Sequence, residues 1–171
     1  MSAPPDMTLD FIDRLKTNGK TAVTVGAITG GFGADPGSIL AKHGVKYAWF
    51  YRQVRNGGPW DLKNNVYKPY KKTGLIICGT TYGNDMPGNF HYGFVGAAAG
   101  FSDLILHKAA GVAQERAGTS KPEYHCTYGD DPQDFEFVRL GIDLFDQVGL
   151  KVTEASLKST LAKFQTIVCS P

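Results

Sequence analysis

Residues 88–118 read GNFHYGFVGAAAGFSDLILHKAAGVAQERAG, and the fold turns on how this stretch is read. It holds two adjacent helix patterns. In the first, Phe90, Phe94, Ala97 and Phe101 recur at helical spacing and form one apolar stripe. Gly93, Gly96 and Gly100 fall together on the neighbouring face. A helical glycine costs about 1 kcal/mol against alanine, so three on one face imply that another backbone, or a ligand, comes very close. Asn89, His91 and Tyr92 stand at the polar start of this helix. Ser102 or Asp103 can cap the second helix. There Ile105, Leu106, Ala109, Ala110, Val112, Ala113 and Ala117 predict a wide buried face, with His107, Gln114 and Glu115 on the other side. Two readings follow: a tightly packed central helical hairpin, or a hairpin whose polar start lines a cleft.

The 171 residues suffice for one domain with a real core. No run of about 18 apolar residues is present, so no membrane-spanning segment is expected. The start, MSAPPDMTLD, lacks the basic region and apolar core of a signal peptide. Export would then depend on another device, such as a larger carrier chain. A net charge of +2 falls short of the basic stripe of a dedicated nucleic-acid binder. Lys63, Lys68, Lys71 and Lys72, interleaved with Tyr67 and Tyr70, are the one local basic concentration. They read as a solvated loop before they read as a phosphate groove. Cys78, Cys126 and Cys169 have no metal-like spacing and leave at least one free thiol. One disulfide is compatible with an oxidising compartment, but unpaired, partly buried thiols are the favoured reading.

Along the chain, residues 1–5 read as a disordered lead-in. Leu9, Ile12 and Leu15 predict a short helix over Thr8–Lys16, stopped by Gly19, with a short strand or link over Thr21–Val25. GAITGGFGADPGS does not fit a phosphate loop, because no Lys-Ser/Thr pair follows its glycines. It reads as a flexible loop, and residues 1–34 as a leader before a domain over 35–171. Asp35-Pro36 starts a helix that ends at Gly44, and Val45–Val54 forms another, closed by Asn56-Gly57-Gly58. Leu75–Cys78 is the best strand. Asp131-Pro132 opens a helix buried on most sides, closed by Gly149, and Thr153 caps a last one. The predicted class is mainly α with a minor β element, a compact helical domain around the glycine-rich hairpin.

Chemistry points to carboxylates. The histidines His43, His91, His107 and His125 match no metal motif, and no G-x-S-x-G elbow exists. His91 with His125 could supply an acid–base pair, although a lone histidine is more often a packing residue. Asp61 sits in GGPWD, where rigid neighbours either cap and pack it or hold it in a cleft beside Lys63. Asp130, Asp131 and Asp134 sit in YGDDPQD, where one of the first two caps the helix and leaves the other over. Two carboxylates across a cleft can cleave a glycosidic bond, and Trp60 and Tyr128 beside them suit stacking on sugars. Glu115 and Glu123 are further acids.

The blocks WFYRQVRNGGPWDLK, GNFHYGFVGAAAGFSD, AAGVAQERAGTSKPEY and YGDDPQD, in this order, resemble the bacterial polymorphic toxin type 44 domain over about Val45–Gly149. The resemblance implies an antibacterial effector secreted within a larger chain, delivered by a secretion apparatus and neutralised in its producer by an immunity protein. It implies functional roles for Asp61, Lys63, Asn89, Tyr92, Gln114, Asp130, Asp131 and Asp134. Toxins of this sort cut RNA, DNA or cell-wall glycan. The favoured expectation is a peptidoglycan glycan hydrolase of the target periplasm, needing neither metal nor cofactor, with Asp61, Asp130, Asp131 and His91 as catalytic candidates. Trp60, Lys63, Asn89, Tyr92, Gln114, Tyr128 and Asp134 are the substrate-binding candidates. The alternative is a metal-independent ribonuclease using His91 or Lys63. Membrane insertion or partner binding by the glycine–alanine hairpin is the non-enzymatic alternative, and the apolar segments are too short to span easily.

Overall fold

The computed structural model describes residues 3–29 and 36–169, the side chains of 36–43 excepted. Among the described residues there are six α-helices: α1 (Thr8–Thr29), α2 (Pro36–Val54), α3 (Met86–Ala98), α4 (Asp103–Arg116), α5 (Pro132–Val148) and α6 (Glu154–Leu161). One antiparallel hairpin accompanies them, β1 (Leu75–Ile77) with β2 (Thr80–Tyr82). Cys78 and Gly79 make its two-residue turn, both at positive φ, as the twist of such a hairpin requires. The class is mainly α with a minor β element, as the sequence predicts.

α3 is the centre, and its glycines explain why. A Cβ on Gly93 would run into the carbonyl oxygen of Val138, and one on Gly141 into the carbonyl of Phe90. The two helices therefore meet backbone to backbone. Asn89 hydrogen-bonds Asp134 near the start of both helices and Phe94 meets Phe145 further along both, so α3 and α5 run in the same direction. The predicted close approach is present, but its partner is α5 rather than the adjacent α4. α4 meets α3 at Gly96, where the Leu106 side chain fills the missing Cβ. On a third side lies α1, with Phe11 edge-on to Phe90 at 5.7 Å. The core is the apolar volume these helices share, with Phe11, Leu15, Phe90, Phe94, Leu140 and Leu144 fully buried.

Several expectations are corrected. Residues 8–29 are one continuous helix rather than a short helix and a strand, and Phe11, Leu15 and Ala22 lie in the core. Gly19 is no stop, because Leu150 and Phe94 occupy the space beside it. These residues are thus no flexible leader; the expected boundary at residue 34 and the Asp35 cap lie outside the described residues. The lead-in pairs with β1, where Ile76 N–H donates to the Pro5 carbonyl at 2.8 Å and Met7 N–H to the Ile76 carbonyl at 2.9 Å. α2 runs through Gly44 unbroken. α4 buries Leu106, His107 and Gly111, but leaves Ile105 38% and Val112 43% exposed. Ala109, Ala113 and Ala117 on its alanine-rich face are exposed, whereas the His107 ring, expected outside, stacks on Phe135 at 3.9 Å.

Two of the three thiols are also paired, contrary to the favoured reading. Cys126 joins Cys169 across 43 residues, while Cys78 is free and buried. The bond ties the segment after α6 to the 3-10 segment Pro122–Thr127. Closing a loop of that length limits the unfolded chain by about 4 kcal/mol. Cys169→Ser is therefore expected to lower the denaturant midpoint clearly. Equal midpoints for wild type with and without reductant would contradict this.

Candidate functional site

Because α3 and α5 run the same way, their first turns lie side by side. Asp85 precedes α3, and Asp131 caps α5 by accepting the Gln133 N–H at 2.9 Å. The other Asp131 oxygen accepts the Tyr124 hydroxyl at 2.8 Å. Asp131 is thus the structural member of the adjacent pair, and Asp130 is the one left over. Asp130 is only 4% exposed, and its Oδ2 is buried without a hydrogen-bond partner. Burial first, then the charge of Asp134, pushes its carboxyl up to about 7.

Asp134, one turn on, faces the start of α3. Burial first, then Asp85, raises it to about 6, while the Lys63 charge and a hydrogen bond from Asn89 oppose the rise. Lys63 reaches this place through its loop. Its carbonyl accepts the Asn84 amide at 3.0 Å, and its Cβ lies 3.4 Å from where Gly88 would carry one. Tyr92 donates its hydroxyl to the Leu106 carbonyl at 3.0 Å. Burial, then neighbouring Asp130, raises that hydroxyl further above its usual range. The structure therefore assembles Lys63, Asn89, Tyr92, Asp130 and Asp134 at one end of the α3–α5 pair. Asp85 belongs with them and was missed. Its signal was Asp85-Met86-Pro87, a helix start of the type recognised at Asp131-Pro132.

The remaining candidates are placed otherwise. Asp61 is a loop staple: it accepts Gly57 N–H at 2.8 Å, Asn64 N–H at 3.1 Å and the Asn64 amide at 2.9 Å. Trp60 packs edge-on to Trp49 at 5.4 Å and His91 at 5.9 Å. His91 turns into the core with no exposure, its Nε2 2.9 Å from the Asn18 amide of α1. The Gln114 carbonyl accepts Thr119 N–H at 3.2 Å where α4 ends. Tyr128 is 46% exposed and stands 5.9 Å below the Lys108 ammonium.

The burial of His91 has a pH consequence. Desolvation, and to a lesser degree Arg14, lowers it to about 3. The unfolded chain binds a proton near pH 6.5 that the folded chain refuses. This contribution to stability is present above pH 6.5 and is lost as pH falls toward 3. His91→Gln is expected to flatten that acid limb, and a variant whose stability falls as steeply as wild type below pH 6.5 would contradict the packing role.

Among the described residues, no group of three or more His, Cys, Asp or Glu side chains is arranged to hold a metal ion, and no helix is long and apolar enough to cross a membrane. No curated protein and no solved structure matches the chain. A family model described as bacterial toxin 44 matches residues 48–147. That span exceeds half of the 171 residues and includes α3 and the start of α5 with Asp130 and Asp134, so the chain belongs to the bacterial toxin 44 family.

Proposed function

We propose that this toxin domain hydrolyses the glycan strands of peptidoglycan, with Asp130 and Asp134 as its working carboxylates. The observation that carries the reading is their unequal surroundings. Asp130 is buried with an unpartnered oxygen, which keeps a proton on it near neutral pH. Asp134 is half-buried and raised less, to about 6, because Lys63 and Asn89 beside it favour its anion. Two acids held apart in this way divide the roles of glycosidic cleavage. Asp130 protonates the leaving oxygen, and Asp134 activates water or attacks the sugar. Asp61, whose oxygens are taken up within its own loop, has no part in the chemistry.

The ribonuclease alternative draws on His91 or Lys63. His91 has no exposed surface and its Nε2 is taken by the Asn18 amide of α1, which leaves Lys63 alone for that role. Delivery within a larger secreted chain, action in the target periplasm and restraint by an immunity protein complete the proposal. Expression in a bacterial host with and without an export signal tests the compartment. Killing only on export, with new reducing ends on purified glycan strands, is the expected result. Killing without export, with degraded RNA, would overturn the proposal.

A further inference from the structure

Beyond α6 the chain turns back across the first turn of α5 and leaves a half-open groove of about 430 Å³. Asp131, Pro132 and Gln133 form one wall, and Phe164, Gln165, Thr166 and Ile167 the other. Three ties hold the second wall in place. Gln165 N–H donates to Glu136 at 3.0 Å, and Arg139 in turn grips the Glu136 carboxylate. The Phe164 ring packs on Phe137 at 4.9 Å. The disulfide of Cys169 to Cys126 anchors the segment beyond. The size is that of a small-ligand cleft, roughly 300–1,000 Å³.

The chemistry of the walls narrows the occupant. Phe164 is seated on Phe137 and still 37% exposed, so it offers a fixed apolar platform for the flat side of a ring. Gln133, Gln165 and Thr166 carry neutral donors and acceptors. Among the described residues, the one charge in the lining is the Asp131 carboxylate, and no lysine or arginine lines the groove. A phosphate backbone would meet an anion and no cation there. A chain of uncharged, hydroxyl-rich rings meets a stacking surface and amides. Two residues of its wall are next in sequence to the acid pair, Asp131 after Asp130 and Gln133 before Asp134.

We propose that this groove is a sugar subsite, in which a glycan strand extends from the Asp130–Asp134 pair onto Phe164. The inference rests on the glycan-hydrolase reading and deepens it. The test is steady-state cleavage of purified peptidoglycan glycan strands by the full chain and its Phe164→Ala, Phe164→Tyr and Gln133→Ala variants, each checked for an unchanged melting temperature. Phe164→Ala is expected to raise KM about tenfold, equivalent to about 1.4 kcal/mol, with kcat within about twofold. Phe164→Tyr keeps the platform and returns KM to the wild-type value, while exposed Gln133→Ala raises it less. An unchanged KM in active Phe164→Ala and Gln133→Ala chains overturns the subsite and leaves the acid pair standing. No cleavage of glycan by wild type overturns both.

Discussion

Gly93→Ala is expected to cost at least about 3 kcal/mol, a large share of the roughly 5–15 kcal/mol that keeps an ordinary domain folded. The new methyl would point into the carbonyl oxygen of Val138, which is helix backbone and cannot rotate away as a side chain can. α3 and α5 would have to separate, and Phe90, Phe94, Leu140 and Leu144 share the volume between and around them. Gly141→Ala meets the mirror obstacle, the Phe90 carbonyl and the Phe94 amide, and is expected to cost as much. Gly44→Ala is the control. It lies inside α2 with nothing within 4 Å of its missing Cβ. There the better helix propensity of alanine is expected to stabilise the chain by about 0.5–1 kcal/mol. Chemical denaturation of the three variants reads all of this directly. If Gly93→Ala and Gly44→Ala shift the midpoint alike, the backbone contact is not what holds the fold together.

The glycine periodicity shows in one dimension why α3 must be approached closely, but not by what. A stripe fixes the face of a helix, while the partner depends on a contact some 45 residues away in sequence, Gly93 with Val138. The same gap explains α4. Its alanines make a face that looks buried, yet short side chains offer little area, and the one deep anchor besides Leu106 is a histidine stacked on Phe135. At Gly19, tertiary packing overrides a local stop signal, since Phe94 and Leu150 need the room. The site divides similarly. Asp131-Pro132 announces its cap locally, so the surplus of Asp130 was legible. Asp61 was not: a carboxylate among glycines reads equally as a catalyst or a loop staple, and its three hydrogen bonds are seen only in the folded loop. The meeting of Asp134, Asn89 and Lys63 arises from the parallel course of α3 and α5, which no local pattern encodes.

Asp130→Asn is expected to abolish glycan cleavage and at the same time stabilise the folded chain above pH 7. Both effects come from one buried carboxyl. The folded chain holds its proton up to about pH 7, whereas an unfolded aspartate releases it near 4. Between these values the folded state binds more protons, so this group makes stability fall as pH rises through the window. Above pH 7 the wild type carries a buried anion with an unpartnered oxygen. Asparagine keeps the shape and removes the charge, and the gain at pH 8 is on the order of 3 kcal/mol. His91 titrates with the opposite sign, but it is present in both chains and cancels in the comparison. Activity supplies the second arm. The proposed reaction needs Asp130 protonated and Asp134 ionised, so its rate is expected to fall above about pH 7 and below about pH 6. Asp134→Asn is expected to be inactive as well, whereas Asp131→Asn, a conservative exchange at a helix cap, keeps measurable cleavage. An Asp130→Asn chain that still cleaves would remove the acid from the proposal. One that is inactive but less stable than wild type at pH 8 would show that Asp130 holds the fold and does not serve the reaction.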